Sequence, residues 1–201
     1  AAGRTDSGVH AKGQVANFCV DTHLTPNENT RALNASLPHD VSNLQAKDAS
    51  GNFHAQYSAK AKIYHYTILN RKSPPALYRN YCYFFPYPLD FKLMCQEVKG
   101  LVGRKDFKSF QAAPPVHEKG KNTIRTVKKI TLKKEGDYIT IDFEANGFLH
   151  KMIRNVVGTL LDIGTGKLPK GSMKKILSKK NRNFAGKTAK PQGLCLMKVR
   201  H

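Results

Sequence analysis

The sequence predicts an α+β fold with a mainly antiparallel sheet flanked by helices. The predicted strands occur in hairpin-like groups and not in strict alternation with helices, which argues against a doubly wound parallel sheet. The plainest group is two alternating segments, residues 127–134 and 138–145, joined by a short turn that contains Gly136. A strongly apolar helical pattern follows at residues 148–161, and Gly164 is placed to end it. We expect this helix to pack its apolar face against the sheet.

The N-terminal quarter predicts a strand, a helix and a second strand. Residues 14–20 and 41–46 each have the pattern of a short strand. Between them, the run Thr25-Pro26-Asn27-Glu28 is a capping box with proline at the first helical position, so a helix is expected to begin there. A composition break near residue 55 predicts two parts, residues 1–55 and residues 56–201.

The C-terminal part predicts several further elements. Residues 62–69 (KIYHYTIL) alternate and are rich in β-branched and aromatic side chains, which is typical of a strand. The others are, in order, a short strand at 81–85, a helix at 90–102 that Gly103 ends, an irregular basic loop at 112–121, a short basic helix at 173–180 and a last strand at 194–199.

The net charge predicts a polyanionic partner. The chain has 34 basic and 14 acidic residues, a formal net charge of +20, which is more than solubility requires. Nucleic acid is favoured over an anionic membrane, because no segment clearly combines a basic face with bulky apolar residues opposite. A basic surface that only contacts solvent is the alternative.

The cysteines and the hydropathy pattern predict a cytoplasmic protein without metal or membrane span. Four cysteines are far apart and include no C-x-x-C pair, so neither a zinc site nor a disulfide framework is expected. A reducing compartment is the default for such a chain. No apolar run has the length of a membrane span, about 18 residues, and no signal peptide is visible.

The first eleven residues, AAGRTDSGVHA, contain the first candidate for chemistry. Arg4 and Asp6 lie between Gly3 and Gly8, an arrangement that suits a tight loop presenting one carboxylate beside a cation. A phosphate-binding loop is disfavoured because Val9 and the residue after it stand where Lys and Ser or Thr are needed. A polar turn, in which Asp6 accepts backbone hydrogen bonds, remains open from these residues alone.

Two further residues are candidates. Arg154 is a charge inside the apolar pattern of residues 148–161, so its side chain either extends to solvent or meets a buried acid such as Asp6. Tyr64 lies in the middle of a predicted strand, where its ring either packs in the core or stacks on an extruded base. Lysines and arginines of 119–134 and 174–190 are either phosphate contacts or solvated charges.

An ordered series of motifs resembles the TruA-type tRNA pseudouridine synthases. The segment GRTDSGVHA at residues 3–11 resembles the signature around the catalytic aspartate of that family. Similar segments follow in order and cover essentially the whole chain: LNASLP (33–38), FHAQYSAKAKIYHYTI (53–68), DFKSFQA (106–112), TIRTV (123–127), FLHKMIRNVVGTLLDIGTG (148–166) and GLCLMKV (193–199).

The resemblance implies roles for individual residues. Asp6 matches the nucleophile, Arg154 its ion-pair partner, and Tyr64 the ring that stacks on the target base and assists proton transfer. The remaining implied RNA contacts are Arg4, which helps to flip and hold the nucleotide, Phe110 and Arg125. The family uses neither a metal nor an organic cofactor, so none is expected here.

The resemblance also implies fold, substrate and assembly. The expected fold is a two-part α+β arrangement around a central RNA-binding cleft, the substrate is the 3′ side of the anticodon stem-loop of tRNA, and the enzyme is a homodimer. Family members have a further segment before the aspartate motif, so a chain that begins at Ala1 is expected to lack it and to have an open sheet edge. One alternative is an RNA-binding relative without catalytic activity. The other is a basic nuclease, and a nuclease would need clustered carboxylates or paired histidines.

Overall fold

The described part of this computed structural model covers residues 1–113, 120 and 122–201. It contains seven strands and four α-helices. The strands are β1 (His10–Ala11), β2 (Ala61–Leu69), β3 (Tyr83–Phe84), β4 (Gly103–Asp106), β5 (Ile124–Glu135), β6 (Tyr138–Ala145) and β7 (Leu194–Arg200). The helices are α1 (Pro26–Ser36), α2 (Phe91–Lys99), α3 (Met152–Gly164) and α4 (Ser172–Lys179).

The strands form one open, mostly antiparallel sheet, which confirms the predicted α+β class. Their order is β1-β7-β2-β6-β5-β4, and β3 pairs with the end of β2. Neighbours are antiparallel except for the pairs β1 with β7 and β2 with β3. The predicted hairpin is the pair β5 and β6. β2 is central, with β7 on one side and β6 on the other.

The core lies between one face of the sheet and helix α3. Alternate residues of β2 and β6 are buried, and Tyr66, Ile68, Ile139 and Ile141 have no exposed surface. Most residues of α3 are buried as well, which explains its apolar sequence. The period-two strand pattern and the apolar helix were therefore sufficient to predict this packing.

The N-terminal part agrees with the sequence prediction only at its helix. α1 begins with the predicted capping box, in which the Glu28 backbone amide donates to the Thr25 hydroxyl and the Glu28 carboxylate accepts from the Thr25 amide. The predicted strands at 14–20 and 41–46 are wrong, since neither segment is strand.

Both corrections have the same physical reason. Neither segment has a strand neighbour in the described part of the chain, and Phe18 and Val20 are 62% and 57% exposed. Residues 41–46 instead run beside α1, where Asn34 bonds the backbone of Asn43. Alternation identifies a strand only when a ladder partner is in place to satisfy the backbone.

Three smaller differences concern element ends and short strands. α2 ends at Lys99, before residue 102, where the helix was predicted to end. Gly103 instead begins β4, a strand that was not predicted, and has φ +103°. α3 begins at Met152, later than its apolar pattern. The predicted loop 112–121 lies outside the described residues except for 112, 113 and 120.

No helix among the described residues is long and apolar enough to cross a membrane.

Candidate active site

The loop that carries Asp6 is fixed at several points by hydrogen bonds. Its start is held by the Lys62 ammonium, which donates to the carbonyl of Ala2 at 2.5 Å, and by the Gln14 side chain, which donates to the carbonyl of Gly3 at 2.8 Å. The turn after Asp6 is closed by the Val9 amide, which donates to the Asp6 carbonyl at 3.0 Å. The carboxylate therefore stands on a well-anchored turn.

The far end of the loop lies on β7. The amides of Lys12 and Gly13 both donate to the carbonyl of Leu196, at 2.8 and 3.2 Å. A side chain at position 13 would overlap the carbonyl oxygen of Met197 and lie 3.0 Å from the Cα of Lys198. Only glycine allows this approach, so Gly13 sets how closely the loop sits on the sheet.

Arg154 meets Asp6, as one of the two sequence interpretations required. Its Nη1 donates to Asp6 Oδ2 at 2.5 Å, and its Nε donates to the carbonyl of Ala189 at 2.8 Å. The side chains of Arg154 and Asp6 are 12% and 22% exposed. The Arg154 guanidinium holds the carboxylate in a fixed orientation, while the remaining exposure leaves Asp6 open to a reactant.

A close backbone crossing holds Arg154 in this position. A side chain at Gly158 of α3 would overlap the carbonyl oxygen of Lys187 and lie 2.9 Å from its carbonyl carbon. Residues 187–189 therefore run directly against α3, and the Ala189 amide donates to the Arg154 carbonyl at 3.0 Å. The Ala189 carbonyl is thus held where the Arg154 guanidinium needs an acceptor.

A buried polar cluster supports the same crossing. Asn155, which has no exposed surface, accepts from Thr188 at 2.7 Å and from Arg182 at 3.0 Å through its Oδ1. Its Nδ2 donates to the carbonyl of Phe110 at 2.7 Å. The Tyr66 hydroxyl donates to the carbonyl of Lys190 at 2.6 Å, which ties the end of this segment to β2.

Tyr64 lies beside Asp6 as a neutral phenol. It is 7% exposed, and its ring meets that of Phe148 edge-on at a centroid distance of 5.2 Å. Burial, with a smaller contribution from the negative charge of Asp6, raises the pKa of Tyr64 to about 12. At neutral pH the hydroxyl therefore keeps its proton, and action as a phenolate base is disfavoured.

His150 is a neighbour of Asp6 that the sequence prediction did not include. Its Nδ1 lies 2.9 Å from the carbonyl of Ala113, and its Nε2 lies 3.6 Å from Asp6 Oδ1. Because a carbonyl only accepts, Nδ1 carries the proton, and Nε2 carries one only in the imidazolium form. Its position before α3, one turn from Arg154, was the available signal.

Lys62 is the second residue that was missed. It is half-buried on β2, two residues before Tyr64, and its bond to Ala2 fixes the start of the Asp6 loop. Burial, with a smaller contribution from the charge of Arg125, lowers the pKa of Lys62. The hydrogen-bond acceptor of Lys62 is a backbone carbonyl and not an acidic side chain. The sequence pattern therefore contained no sign of this contact.

The three further predicted RNA contacts have different environments. Arg4 is exposed and makes no hydrogen bond or ion pair to any described residue. Arg125 is partly exposed on β5 and donates to the carbonyls of Asn122 and Ile124. Phe110 has no exposed surface and packs near Phe107, so its ring belongs to the core.

Among the described residues no group of three or more His, Cys, Asp or Glu could hold a metal ion.

Comparison with known proteins agrees with the motifs. The profile of the tRNA pseudouridine synthase family matches residues 98–201. The chain is 46% identical to tRNA pseudouridine synthase A of Thermoanaerobacter sp. (strain X514) over 198 residues, which is 98% of this chain and 80% of that protein. It is 42% identical to tRNA pseudouridine synthase A of Geobacillus sp. (strain WCH70), over 99% of this chain and 79% of that protein. It is also 42% identical to tRNA pseudouridine synthase A 2 of Clostridium perfringens, over 98% of this chain and 79% of that protein. The chain therefore belongs to the TruA-type tRNA pseudouridine synthase family.

Proposed function

We propose that this chain isomerises uridine to pseudouridine in tRNA with Asp6 as the nucleophile. The observation that carries the proposal is the ion pair between Asp6 and Arg154, at 2.5 Å, beside the buried ring of Tyr64. These three residues come from a loop, a helix and a strand that are far apart in the sequence. The family relationship supplies the reaction, and the geometry supports the assignment of roles.

The isomerisation needs a nucleophile and proton movement, and it is balanced without water or an oxidant. The N1–C1′ bond of uridine breaks and a C5–C1′ bond forms, while C5 loses a proton and N1 gains one. The Asp6 carboxylate attacks the target nucleotide and is regenerated when the product is released. Covalent catalysis of this kind requires a carboxylate oxygen that is positioned to attack, and the ion pair with Arg154 orients the Asp6 carboxylate for it.

Tyr64 and Arg4 act on the nucleotide. The base has to leave its stack to reach Asp6, and the Tyr64 ring stacks on the extruded uracil. Since burial raises the pKa of Tyr64 to about 12, its hydroxyl assists the proton movement as a donor. Arg4 is exposed two residues before Asp6, where its charge can hold the phosphate of the flipped nucleotide. Arg125 is a further RNA contact in the proposal.

The substrate is the 3′ side of the anticodon stem-loop of tRNA. The net charge of +20 supports binding to a polyanion, and the relatives described above are tRNA pseudouridine synthases. In this proposal the enzyme acts in the cytoplasm, as a homodimer around a central RNA cleft. Analytical ultracentrifugation of the purified chain tests the dimer directly.

Tritium release tests the reaction and the nucleophile together. Tritium at C5 of uridine is lost to water only when C5 becomes the glycosidic carbon, so the assay reports isomerisation itself. Wild type is expected to release it from an unmodified tRNA transcript, and Asp6→Asn to release none while it still binds the transcript. Asp48→Asn, an exposed aspartate elsewhere in the N-terminal part, is the matched control.

Two results would contradict the proposal. If wild type binds tRNA with high affinity and releases no tritium, the chain is an RNA-binding relative without catalysis. If Asp6→Asn keeps more than a trace of activity, another group is the nucleophile.

A further inference from the structure

We propose that Tyr81, backed by His10, is a stacking platform for an unpaired base of the RNA strand, a few nucleotides from the target uridine. The inference rests on the proposed function, because it names a second contact of the same substrate. The platform belongs to the loop between β2 and β3, which the assignment of the active site does not use.

A ring pair connects this loop to the Asp6 loop. The rings of His10 and Tyr81 lie with centroids 4.7 Å apart at an interplanar angle of 32°, and the His10 ring nitrogen Nε2 lies 2.6 Å from the carbonyl of Asn80. His10 is itself fixed, because it is in β1 and pairs with Cys195 of β7. Tyr81 is therefore held relative to the sheet and to Asp6, although it lies in a loop.

Two aromatic rings of this loop are exposed. Tyr81 is 61% exposed and Tyr78 is 69% exposed, so packing within the protein does not account for either ring. The turn that presents them is closed by the Tyr81 amide, which donates to the Tyr78 carbonyl at 2.8 Å, and is anchored by the buried Cys82. Tyr78 has φ +59°, a conformation that bulky residues rarely adopt and that often marks a functional site.

The platform lies close enough to Asp6 to contact the same strand. His10 follows Asp6 by four residues, so their Cα atoms are at most about 14 Å apart, and the turn after Asp6 shortens this distance. Stacked nucleotides are about 3.4 Å apart along a strand. A base on Tyr81 and a uridine at Asp6 therefore belong to one short stretch of RNA.

The charges around the platform favour RNA over another protein surface. No acidic residue occurs between Asp48 and Asp90, and this stretch includes the whole loop. Lys72 and Arg79 are exposed in the loop, whereas Arg71 is engaged by Asp137 at 3.6 Å. Exposed aromatic rings among cations are typical of surfaces that bind unpaired nucleotides without reading their sequence.

Replacement of the ring tests the platform. Loss of one base-stacking contact predicts that Tyr81→Ala weakens binding to an unmodified tRNA transcript by about tenfold. Tyr81→Phe keeps the ring and is expected to bind within about twofold of wild type. Tyr57→Ala is the matched control, because Tyr57 is 79% exposed and also pairs with a histidine, His54 at 4.3 Å, before the other end of β2. Fluorescence anisotropy measures binding, and thermal unfolding confirms that each variant folds.

A fluorescent base locates the contact. Stem-loop RNAs that carry 2-aminopurine at single positions near the target uridine are expected to lose fluorescence on binding wild type at one of those positions, and not on binding Tyr81→Ala.

The outcomes separate the platform from the proposed function. Wild-type affinity of Tyr81→Ala would overturn the platform, as would an equal loss of affinity in Tyr81→Phe, which would assign the effect to the hydroxyl. Absence of the position-specific quenching would overturn it too. If wild type releases no tritium, the proposed function fails, whereas the binding comparison still decides the platform.

Discussion

A single methyl group at position 158 should reduce activity without touching the substrate. Gly158 lies on α3 one turn after Arg154, at the point where residues 187–189 cross the helix. In Gly158→Ala the new methyl carbon would lie 2.9 Å from the Lys187 carbonyl carbon. With a C=O bond of about 1.2 Å directed at the methyl group, the oxygen has to retreat by roughly 1.5 Å to reach the closest C···O contacts, about 3.3 Å.

That displacement removes the support of the ion pair. The two bonds between Arg154 and Ala189, at 2.8 and 3.0 Å, cannot both survive such a shift. One is neutral and one involves the guanidinium, so their loss should lower the free energy of unfolding by about 2 to 4 kcal/mol. A misplacement of about 1 Å at a catalytic group reduces turnover by about 100-fold. We therefore expect kcat to fall by about that factor while the Kd for tRNA is unchanged.

Urea unfolding and tritium release at saturating tRNA measure the two effects. The control is Gly51→Ala, because Gly51 has no atom within 4 Å of the added methyl group, so stability and activity should remain near wild type. Wild-type kcat in Gly158→Ala would refute the reasoning, since it would mean that the crossing segment does not position Arg154.

Three further predictions concern residues around Asp6. Arg154→Ala removes the guanidinium and leaves Asp6 without its nearest cation, so unfolding free energy should fall by about 3 kcal/mol in urea titrations, and Arg154→Lys should restore only part of it because one of the two bonds is still lost. Lys62→Met should lower kcat by about tenfold, because the Asp6 loop loses its bond to Lys62, and limited proteolysis should show a more accessible N-terminus. Tyr64 contributes pH dependence: since burial raises its pKa to about 12, stability is fully present below the unfolded pKa near 10 and is lost as pH rises through the folded pKa. Urea unfolding between pH 10 and 12 should therefore show about 2 kcal/mol less loss in Tyr64→Phe than in wild type, and an equal loss would contradict the assigned burial.

Turn and cap residues predicted the elements that they specify directly. The hairpin of β5 and β6 and the capped helix α1 were correct, because turn residues and caps act within a few positions. The strands at 14–20 and 41–46 were wrong because a strand is completed by a distant ladder partner, which alternation cannot reveal.

The candidate site shows the same division. The charge inside an apolar helix left two alternatives for Arg154, solvent or a buried acid, and the motif resemblance implied the contact with Asp6, 148 positions away, that the structure has. Lys62 and His150 were missed because each bonds a backbone carbonyl, and a backbone acceptor exists at every position. Phe110 shows the opposite limit, since a motif match cannot distinguish a ring in the core from a ring on the surface.

Strand β2 connects three parts of the protein that the chain itself keeps apart. Lys62, Tyr64 and Tyr66 alternate along one face, about 6.6 Å from one to the next. The first holds the Asp6 loop, the second lies beside the carboxylate, and the third holds the segment that supports Arg154. The two-residue repeat of the β-strand therefore sets the spacing between these three side chains. A shift of β2 by one residue against β6 would turn all three side chains to the opposite face of the sheet. The catalytic geometry therefore depends on the register of this one strand.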